Sequence, residues 1–243
     1  SAGLILIHMA RQKDDCAFRI RDLKGGLNGT EGKHILGLGI PAGLQNAIFA
    51  VANLFIQGAV NSFDSVMVEG NSAAANADAI IYNVMAAFYT ACSTFMGQNL
   101  GAGKRSRVLK SYFIGIVYSF TVGAVLGGAL FLFGREFLSL FANDEAVIEA
   151  GLQRTRIMCF SYAVSAFMDC TIAACRGIGK SFVPTVIVIM GSCVFRVAWI
   201  YTVFAYFHTI PSLYLLYIFS WTITAIAEII CFAVSYKKLD RGG

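Results

Sequence analysis

The sequence predicts an all-α polytopic membrane protein that forms one six-helix lobe, and two observations carry this prediction. Hydrophobic residues make up 57% of the 243 residues and charged residues only 14%, with a mean hydropathy of +0.68. Fifteen of the 19 Lys and Arg residues also lie in alternate connectors between long apolar segments. The composition excludes an ordinary soluble domain, and the alternation is the charge bias that orients membrane helices.

Six apolar segments are long enough to cross a membrane. A hydrocarbon core of about 30 Å needs roughly 20 residues of helix. The predicted spans are 35–60, 74–98, 111–134, 155–175, 182–207 and 212–236. Because an isolated span can satisfy its backbone hydrogen bonds only as a helix, each segment is predicted to be helical.

The charges of the connectors predict the orientation. Most basic residues lie in the connectors 11–34, 99–110, 176–181 and 237–243. The opposite connectors hold only Arg135 and Arg154, and the segment 135–154 is the acidic one. Since Lys and Arg are retained in the cytosol, we expect a cytosolic C-terminus and an external 135–154 segment, in a plasma or inner cell membrane. Within that segment, Asn143-Asp144-Glu145 is typical of a helix start.

The beginning of the chain predicts a boundary between two membrane lobes. Residues 1–10 are apolar but too short to span, so they are interpreted as the end of a truncated preceding helix. Residues 11–34 combine charges with glycines, as cytosolic linkers do. The lobe itself is predicted to comprise 35–243, which leaves an N-terminal lobe of the same protein missing.

The charge and the cysteines exclude several partners. The net charge of +5 resides in short loops at span ends, where basic residues meet anionic lipid, so we expect the bilayer and not nucleic acid as the partner. Six of the seven cysteines lie in spans and Cys16 lies in the linker, without a C-x-x-C pair. They are interpreted as small buried apolar residues, and no metal site is expected.

Two consecutive spans carry polar faces. In the first, Asn46, Asn53, Gln57 and Asn61 recur on one side of the helix. In the second, one face carries Asn76, Asn83, Thr90 and Thr94, and the adjoining face carries Asp78, Tyr82, Tyr89 and Ser93.

Such faces must meet water or other helices, because amides are costly against lipid. One interpretation is a substrate cavity lined by Asn46, Asn53, Gln57, Tyr82 and Asn83; the other is hydrogen bonding between helices. The third span has Gly123-x-x-x-Gly127 instead, which predicts a packing seam.

Four ionisable residues lie within spans: Asp78, Asp169, Arg196 and Glu228. Each costs at least ~2.5 kcal/mol to insert, which makes each a candidate for function. At 1.5 Å per residue, Asp169 and Glu228 lie about 10 and 13 Å from the nearest cytosolic basic residue, and Arg196 about 24 Å. We therefore interpret Asp169 and Glu228 as candidates for binding a coupling cation, and Arg196 and Asp78 as structural charges.

Enzymatic chemistry is not expected. All three histidines lie outside the full spans, so an intramembrane catalytic dyad or a zinc H-E-x-x-H site has no residues to build it. Gly101-Ala-Gly-Lys104 is similar to a phosphate-binding loop, but Gln98 and Arg105 break the motif. No catalytic residue and no cofactor other than a coupling H⁺ or Na⁺ is predicted.

Three segments carry a family resemblance: Leu38-Gly-Ile-Pro-Ala-Gly-Leu-Gln45, Gly97-Gln-Asn-Leu-Gly-Ala-Gly-Lys104, and Arg176-Gly-Ile-Gly-Lys-Ser181 followed by Pro184. In order and spacing, the chain over 35–236 resembles the C-terminal half of the multidrug and toxic compound extrusion (MATE) family. The resemblance implies a twelve-helix transporter of two six-helix lobes. It would export organic cations or drugs in exchange for H⁺ or Na⁺ as the lobes rock.

The resemblance also bears on the coupling cation. Some members bind it with a glutamate on the seventh helix and an acid on the tenth. Here no acid occurs between Pro41 and Asn61, the glutamate position is close to Phe49, and Asp169 lies on the matching tenth helix. The resemblance implies that Asp169 handles the cation, with the missing lobe as the alternative location of the coupling carboxylate.

Two other functions stay open. A lipid-linked oligosaccharide flippase of the same superfamily would need a strongly basic cavity, whereas Arg196 is the only basic residue predicted inside a span. A non-transporting membrane subunit would use the polar faces only to join helices.

Overall fold

The computed structural model describes residues 29–241, and within that range its regular structure is helical throughout. Six helices are long and apolar enough to cross a membrane. They are α1 (Gly29–Val60), α2 (Ser65–Gly101), α3 (Arg105–Leu132), α4 (Glu145–Gly177), α5 (Phe182–Phe207) and α6 (Ile210–Arg241). The all-α fold with six spans is confirmed. The predicted helix end at 1–10, Cys16 and the linker up to residue 28 lie outside the described residues.

Helices α2 and α4 begin before the predicted spans, and a capping residue marks the start of each. Asp64 caps α2 by accepting a hydrogen bond from the Met67 N–H at 2.8 Å, and Asp144 caps α4 by accepting one from the Ala146 N–H at 2.9 Å. The helix start predicted at 143–145 is therefore confirmed. The predicted connector 135–154 is helical from Glu145 onwards, so the assignment of Arg154 to a connector is wrong and Arg154 belongs to α4.

The first helix starts earlier than the first predicted span. It begins at Gly29, so residues 29–34 of the predicted linker are helical. The glycines at 29 and 32 weaken a helix but do not prevent one, since each costs only about 1 kcal/mol relative to alanine. A short helix, Gly134–Leu138, follows α3.

Helix α4 is the centre of the lobe, and it packs against α2, α3 and α6. Small side chains line much of its length, which lets neighbouring helices approach closely. Buried members of this group are Ser161, Ser165, Ala166, Cys170, Thr171, Ala174 and Cys175. A helix that is buried nearly all round can carry polar residues into the middle of the lobe, where lipid cannot reach them.

Glycines mark the points where helices touch most closely. A Cβ atom at Gly127 of α3 would lie 2.3 Å from the carbonyl oxygen of Cys159, and one at Gly123 would lie 3.2 Å from the carbonyl oxygen of Tyr162. The packing seam predicted from Gly123 and Gly127 is confirmed, and α4 is its partner. Between α2 and α4, a Cβ at Gly70 would lie 2.6 Å from the Gly151 nitrogen.

The segments that carry the family resemblance meet at one end of the lobe. Arg176 Nη2 donates to Gln45 Oε1 at 2.9 Å, and Ser181 Oγ donates to the Leu38 carbonyl oxygen at 3.2 Å. A Cβ at Gly97 would lie 3.4 Å from the Gly177 carbonyl oxygen. These contacts join α1, α2 and α4 at this end of the lobe. Polar residues of the first and third segments form the hydrogen bonds, and the glycines allow the close approach of the helices.

Helix α5 departs from ordinary α-helical bonding on both sides of Arg196. The Phe195 N–H donates to Met190 O, and the Ala205 N–H donates to Ile200 O, each five residues back. Such π-helical segments shift the side chains that follow them and occur often at functional sites. In this helix they flank the turn from which Arg196 projects.

Gly127→Ala tests the packing of α3 on α4. The added methyl group meets backbone rather than a movable side chain, so we expect a loss of about 1–3 kcal/mol in the free energy of unfolding. Gly128→Ala is the matched control, because a Cβ there has nothing within 4 Å and alanine favours helix by up to ~1 kcal/mol. Unfolding of both variants in detergent micelles measures the difference. Equal stabilities would contradict the close contact.

Candidate functional site

Two polar cavities lie along the lobe, and the first is named the Asp169 cavity. It has a volume of about 380 Å³ and lies between α1, α2 and α4. Its lining residues are Gln45, Asn46, Phe49, Tyr89, Thr90, Ser93, Asp169, Ile172, Ala173 and Arg176. Polar side chains dominate this set, so the cavity suits water, a cation or a polar group.

The carboxylate of Asp169 is the acid of this cavity. Arg176 lines the same cavity, but its Nη2 donates to Gln45 Oε1, which also accepts from Thr185 Oγ1 at 3.4 Å. Among the side chains that the structure describes, ion pairs join Arg135 to Glu145 and Glu149, and Arg154 to Asp78. Asp169 is thus not neutralised by a direct ion pair with any described side chain, although Arg176 and Arg196 are in electrostatic range.

The second cavity, named the Asp78 cavity, has a volume of about 320 Å³. Helices α1, α2, α4, α5 and α6 all contribute to its wall. Its lining residues are Asn53, Ile56, Gln57, Val60, Asn71, Ala75, Asp78, Tyr82, Arg154, Met158, Arg196, Tyr217 and Trp221. It therefore combines three charged groups, three amides and an aromatic wall.

A buried polar network fixes one side of the Asp78 cavity. Arg154, which is 5% exposed, forms an ion pair with Asp78, and the Tyr162 hydroxyl donates to the same carboxylate. Arg154 Nη1 donates to the Asn71 carbonyl oxygen at 3.3 Å. The Tyr214 hydroxyl donates to Asn71 Oδ1 at 2.7 Å, and its ring lies 5.4 Å from the guanidinium of Arg154. The network joins α2, α4 and α6.

Arg196 occupies another side of this cavity and is 2% exposed. Its Nε donates to Ser220 Oγ at 3.1 Å. The carbon at the centre of its guanidinium lies 4.5 Å from the centroid of Tyr217, 5.4 Å from that of Trp221 and 5.6 Å from that of Phe49. Three aromatic rings thus surround a cation that has no ion-pair partner within residues 29–241.

The structure divides the predicted cavity residues between the two cavities. Asn46 lines the Asp169 cavity, whereas Asn53, Gln57 and Tyr82 line the Asp78 cavity. Asn83 is exposed and lines neither cavity. The single polar face of α1 therefore serves two sites at different depths, because residues seven apart on one face are about 10 Å apart.

Glu228 has a different environment from Asp169. It is 0% exposed, it lines neither cavity, and its two carboxylate oxygens have no hydrogen-bond partner in the described part of the chain. The guanidinium of Arg176 is close enough to interact electrostatically with the Glu228 carboxyl group. Both acids lie on the same half of the lobe, as the helical rise predicts, but only Asp169 borders one of the two named cavities.

A comparison of the sequence with models of known protein families identifies the family of this chain. The model described as MatE matches residues 41–202. The chain belongs to the MATE family. MATE proteins are transporters, and with its six apolar helices the chain is a multi-pass membrane protein.

Individual relatives agree with this assignment. A probable multidrug resistance protein, YpnP of Bacillus subtilis, is 31% identical over 128 residues, which cover 53% of this chain and 29% of the relative. The FAD transporter of Shewanella oneidensis is 27% identical over 148 residues, which cover 61% of this chain and 32% of the relative. A solved MATE structure in the straight conformation superposes with a TM-score of 0.86 at 16% identity, over 98% of this chain and 54% of that one. The chain thus spans about half the length of a solved MATE chain, and its matches to the two curated relatives cover about a third of the length of each.

Sequence reasoning missed most of the polar network around the MATE lobe's Asp78 cavity. The sequence analysis places Arg154 at the end of the acidic connector 135–154, just before the predicted span 155–175. The cap at Asp144 was the available signal: a helix that starts at Glu145 carries Arg154 about 14 Å along its axis, at the depth where a carboxylate partner is needed. Asn71, Tyr162 and Tyr214 gave no comparable signal.

A double-mutant cycle tests the ion pair between Arg154 and Asp78. Arg154→Gln or Asp78→Asn alone leaves one buried charge without its partner, so each should cost about 3–5 kcal/mol in the free energy of unfolding. The double variant should cost less than the sum of the two. Arg135→Gln is the control, because Arg135 pairs with Glu145 on the surface, where an ion pair contributes about 0–1 kcal/mol. Additive costs at Arg154 and Asp78 would contradict the pairing.

Proposed function

We propose that this chain is one lobe of a two-lobed MATE transporter that exports small organic molecules, organic cations and drugs among them, in exchange for H⁺ or Na⁺. The observation that carries the proposal is the carboxylate of Asp169, which borders a polar cavity and has no direct ion-pair partner within residues 29–241. The half-length match to a solved MATE chain supports the two-lobed arrangement. Transporters of this kind place their sites between repeats that move against each other.

Asp169 binds the coupling cation in this proposal. Arg176 Nη2 donates to Gln45 Oε1, and within residues 29–241 the guanidinium forms no direct ion pair with the Asp169 carboxylate. A proton or Na⁺ supplies the missing positive charge, and its release returns a negative charge to the cavity. Because the cation and a positively charged substrate cannot both stabilise one carboxylate, binding of one weakens binding of the other, which exchange requires.

The substrate passes the amides of the Asp78 cavity in this proposal. Asn53 and Gln57 are exposed in the lobe, and the Gln57 amide donates to Asn61 on the same helix at 2.9 Å. These groups are therefore available to a molecule that lies between the lobes, which favours the cavity interpretation over hydrogen bonding between helices. The non-transporting subunit has correspondingly less support.

The distribution of basic and acidic residues among the connectors supports one orientation of the lobe in the cell membrane. The basic loop after α2, which contains Lys104, and the C-terminal end of α6 face the cytosol under the positive-inside rule. The acidic segment around Asp144 then faces outward, which places the Asp169 cavity on the cytosolic half and the Asp78 cavity on the external half.

One observation favours the flippase alternative. Arg154 and Arg196 both lie inside spans, so the Asp78 cavity holds one more basic residue than the sequence predicted. Arg154 is paired with Asp78, however, and a lipid-linked diphosphate would need several free cations. Drug export remains the function that the geometry supports best.

Asp169→Asn in the complete two-lobed transporter tests the coupling role. The amide keeps the shape of the carboxyl group but cannot bind a cation by charge, so cation-driven efflux should fall by about 5–150-fold, the factor for a coupling free energy of about 1–3 kcal/mol. Efflux of a fluorescent substrate from proteoliposomes with an imposed H⁺ or Na⁺ gradient measures this.

Glu228→Gln is the matched control, because Glu228 lies on the same half of the lobe but lines neither cavity. We expect a milder defect from it. Normal efflux with Asp169→Asn together with loss of efflux in Glu228→Gln would show that the wrong carboxylate was chosen. If both variants were normal, the coupling carboxylate would lie in the other lobe.

A further inference from the structure

The charges of the Asp78 cavity do not balance. Two guanidinium groups and one carboxylate line it, and Arg154 already neutralises Asp78. Arg196 therefore adds a second positive charge to this cavity, and no direct ion pair within residues 29–241 neutralises it, although Asp169 of the other cavity is in electrostatic range. A buried charge of this kind is costly, and it persists where a ligand or a functional partner supplies the opposite charge.

Three hydrogen-bond donors on the wall of this cavity lack partners. They are Arg196 Nη2, Arg154 Nε and the hydroxyl of Tyr82, and each is buried without a hydrogen bond in the described residues. Unsatisfied buried donors cost about 1–3 kcal/mol each, and charged ones cost more. Donors that share one cavity and lack acceptors indicate a ligand that brings acceptors with it.

The aromatic residues beside Arg196 add a second type of recognition. Trp221 lies 5.2 Å from Tyr217 and 6.0 Å from Tyr82, measured between ring centroids. These rings form one continuous apolar wall next to the guanidinium. A flat aromatic molecule can therefore pack on the wall while its charged group faces Arg196.

We propose that the Asp78 cavity binds the anionic group of an aromatic small molecule, a carboxylate or a phosphate, at Arg196 and Tyr82. Arg196 Nη2 and the Tyr82 hydroxyl donate to the anion, and Tyr217 and Trp221 contact its ring. Arg154 positions the site by keeping Asp78 neutralised, because an unpaired Asp78 would repel the anion.

This inference rests on the proposed export function and narrows its substrate class. An excess positive charge disfavours a purely cationic substrate in this part of the lobe. The cavity volume of about 320 Å³ accommodates one aromatic ring system rather than a large lipid-linked sugar.

Tryptophan fluorescence gives a direct binding test, since the chain has only two tryptophans. Trp199→Phe leaves Trp221, on the cavity wall, as the sole reporter. The chain in nanodiscs of neutral lipid is titrated with nitroaromatic quenchers that share one ring: para-nitrobenzoate, para-nitrophenyl phosphate, neutral para-nitrobenzamide and cationic para-nitrobenzylamine. The first two probes distinguish a carboxylate from a phosphate ligand.

At least one anionic probe should quench Trp221 saturably and bind about tenfold or more tightly than the neutral and cationic probes. Arg196→Gln should abolish this preference, and Tyr82→Phe, which preserves shape, should weaken anion binding by a smaller factor. Arg156→Gln is the charge-matched control, because Arg156 is exposed on α4 and lines neither cavity. Thermal unfolding of each variant verifies that it is folded.

The neutral probe binding as tightly as both anions would overturn the proposal, as would an unchanged anion preference in Tyr82→Phe and Arg196→Gln. If no probe quenches Trp221 saturably, the cavity holds water only and the proposal fails. This measurement needs neither an ion gradient nor a second lobe, so its failure is distinguishable from a failure of cation-coupled export, which the Asp169→Asn assay reports.

Discussion

The ion pair between Arg154 and Asp78 is the interaction on which the rest of the lobe depends. It joins the central helix α4 to α2 in the interior of the lobe, and hydrogen bonds from Tyr162 and Tyr214 extend the network to α6. Burying two charges carries a large desolvation cost, so such a pair tolerates only one alignment of its helices. The glycine contact between Gly70 and Gly151 lies on the same pair of helices and lets their backbones approach. Charge and close packing together thus fix the register of α2 on α4.

That register determines the chemistry of both cavities. Arg154 and Asp169 lie on one helix, about 22 Å apart along its axis, and each contributes to a different cavity. Because Arg154 is committed to Asp78, the remaining charge of the Asp78 cavity is that of Arg196. The Asp169 cavity is lined by both Asp169 and Arg176, but within residues 29–241 these two form no direct ion pair, and Arg176 donates to Gln45 instead. Helix α4 therefore contributes charged residues to both cavities, so a movement of α4 against a second lobe would affect both.

The sequence predicted the architecture well because membrane insertion constrains composition so strongly. Spans, connector charges and the Gly123–Gly127 seam follow from length, hydropathy and residue size, and the structure confirms the six helices and the seam. The polar periodicity of α1 also identified Asn46, Asn53 and Gln57, all of which border a cavity. Their functional role stays a prediction.

The candidate site was less predictable because it depends on which helices are neighbours. Arg154 lies next to the acidic residues of the 135–154 segment, which indicate a connector, whereas its partner Asp78 lies within a predicted span. Tyr217 and Trp221 gave no signal, since aromatic residues are common in spans and only packing brings these two to Arg196. The burial of Glu228 likewise follows from the position of α6 against α4, which no local pattern encodes.

In the proposed two-lobed transporter, the two cavities belong to one pathway that opens alternately to the two sides of the membrane. Cysteines introduced at Asn46 and Asn53, in a complete transporter whose native cysteines have been replaced, report on it through labelling by impermeant thiol reagents added from each side. The account predicts that an imposed cation gradient changes labelling at the two positions in opposite directions. Both positions remaining sealed from both sides under every gradient would contradict it and leave the polar faces as contacts between helices.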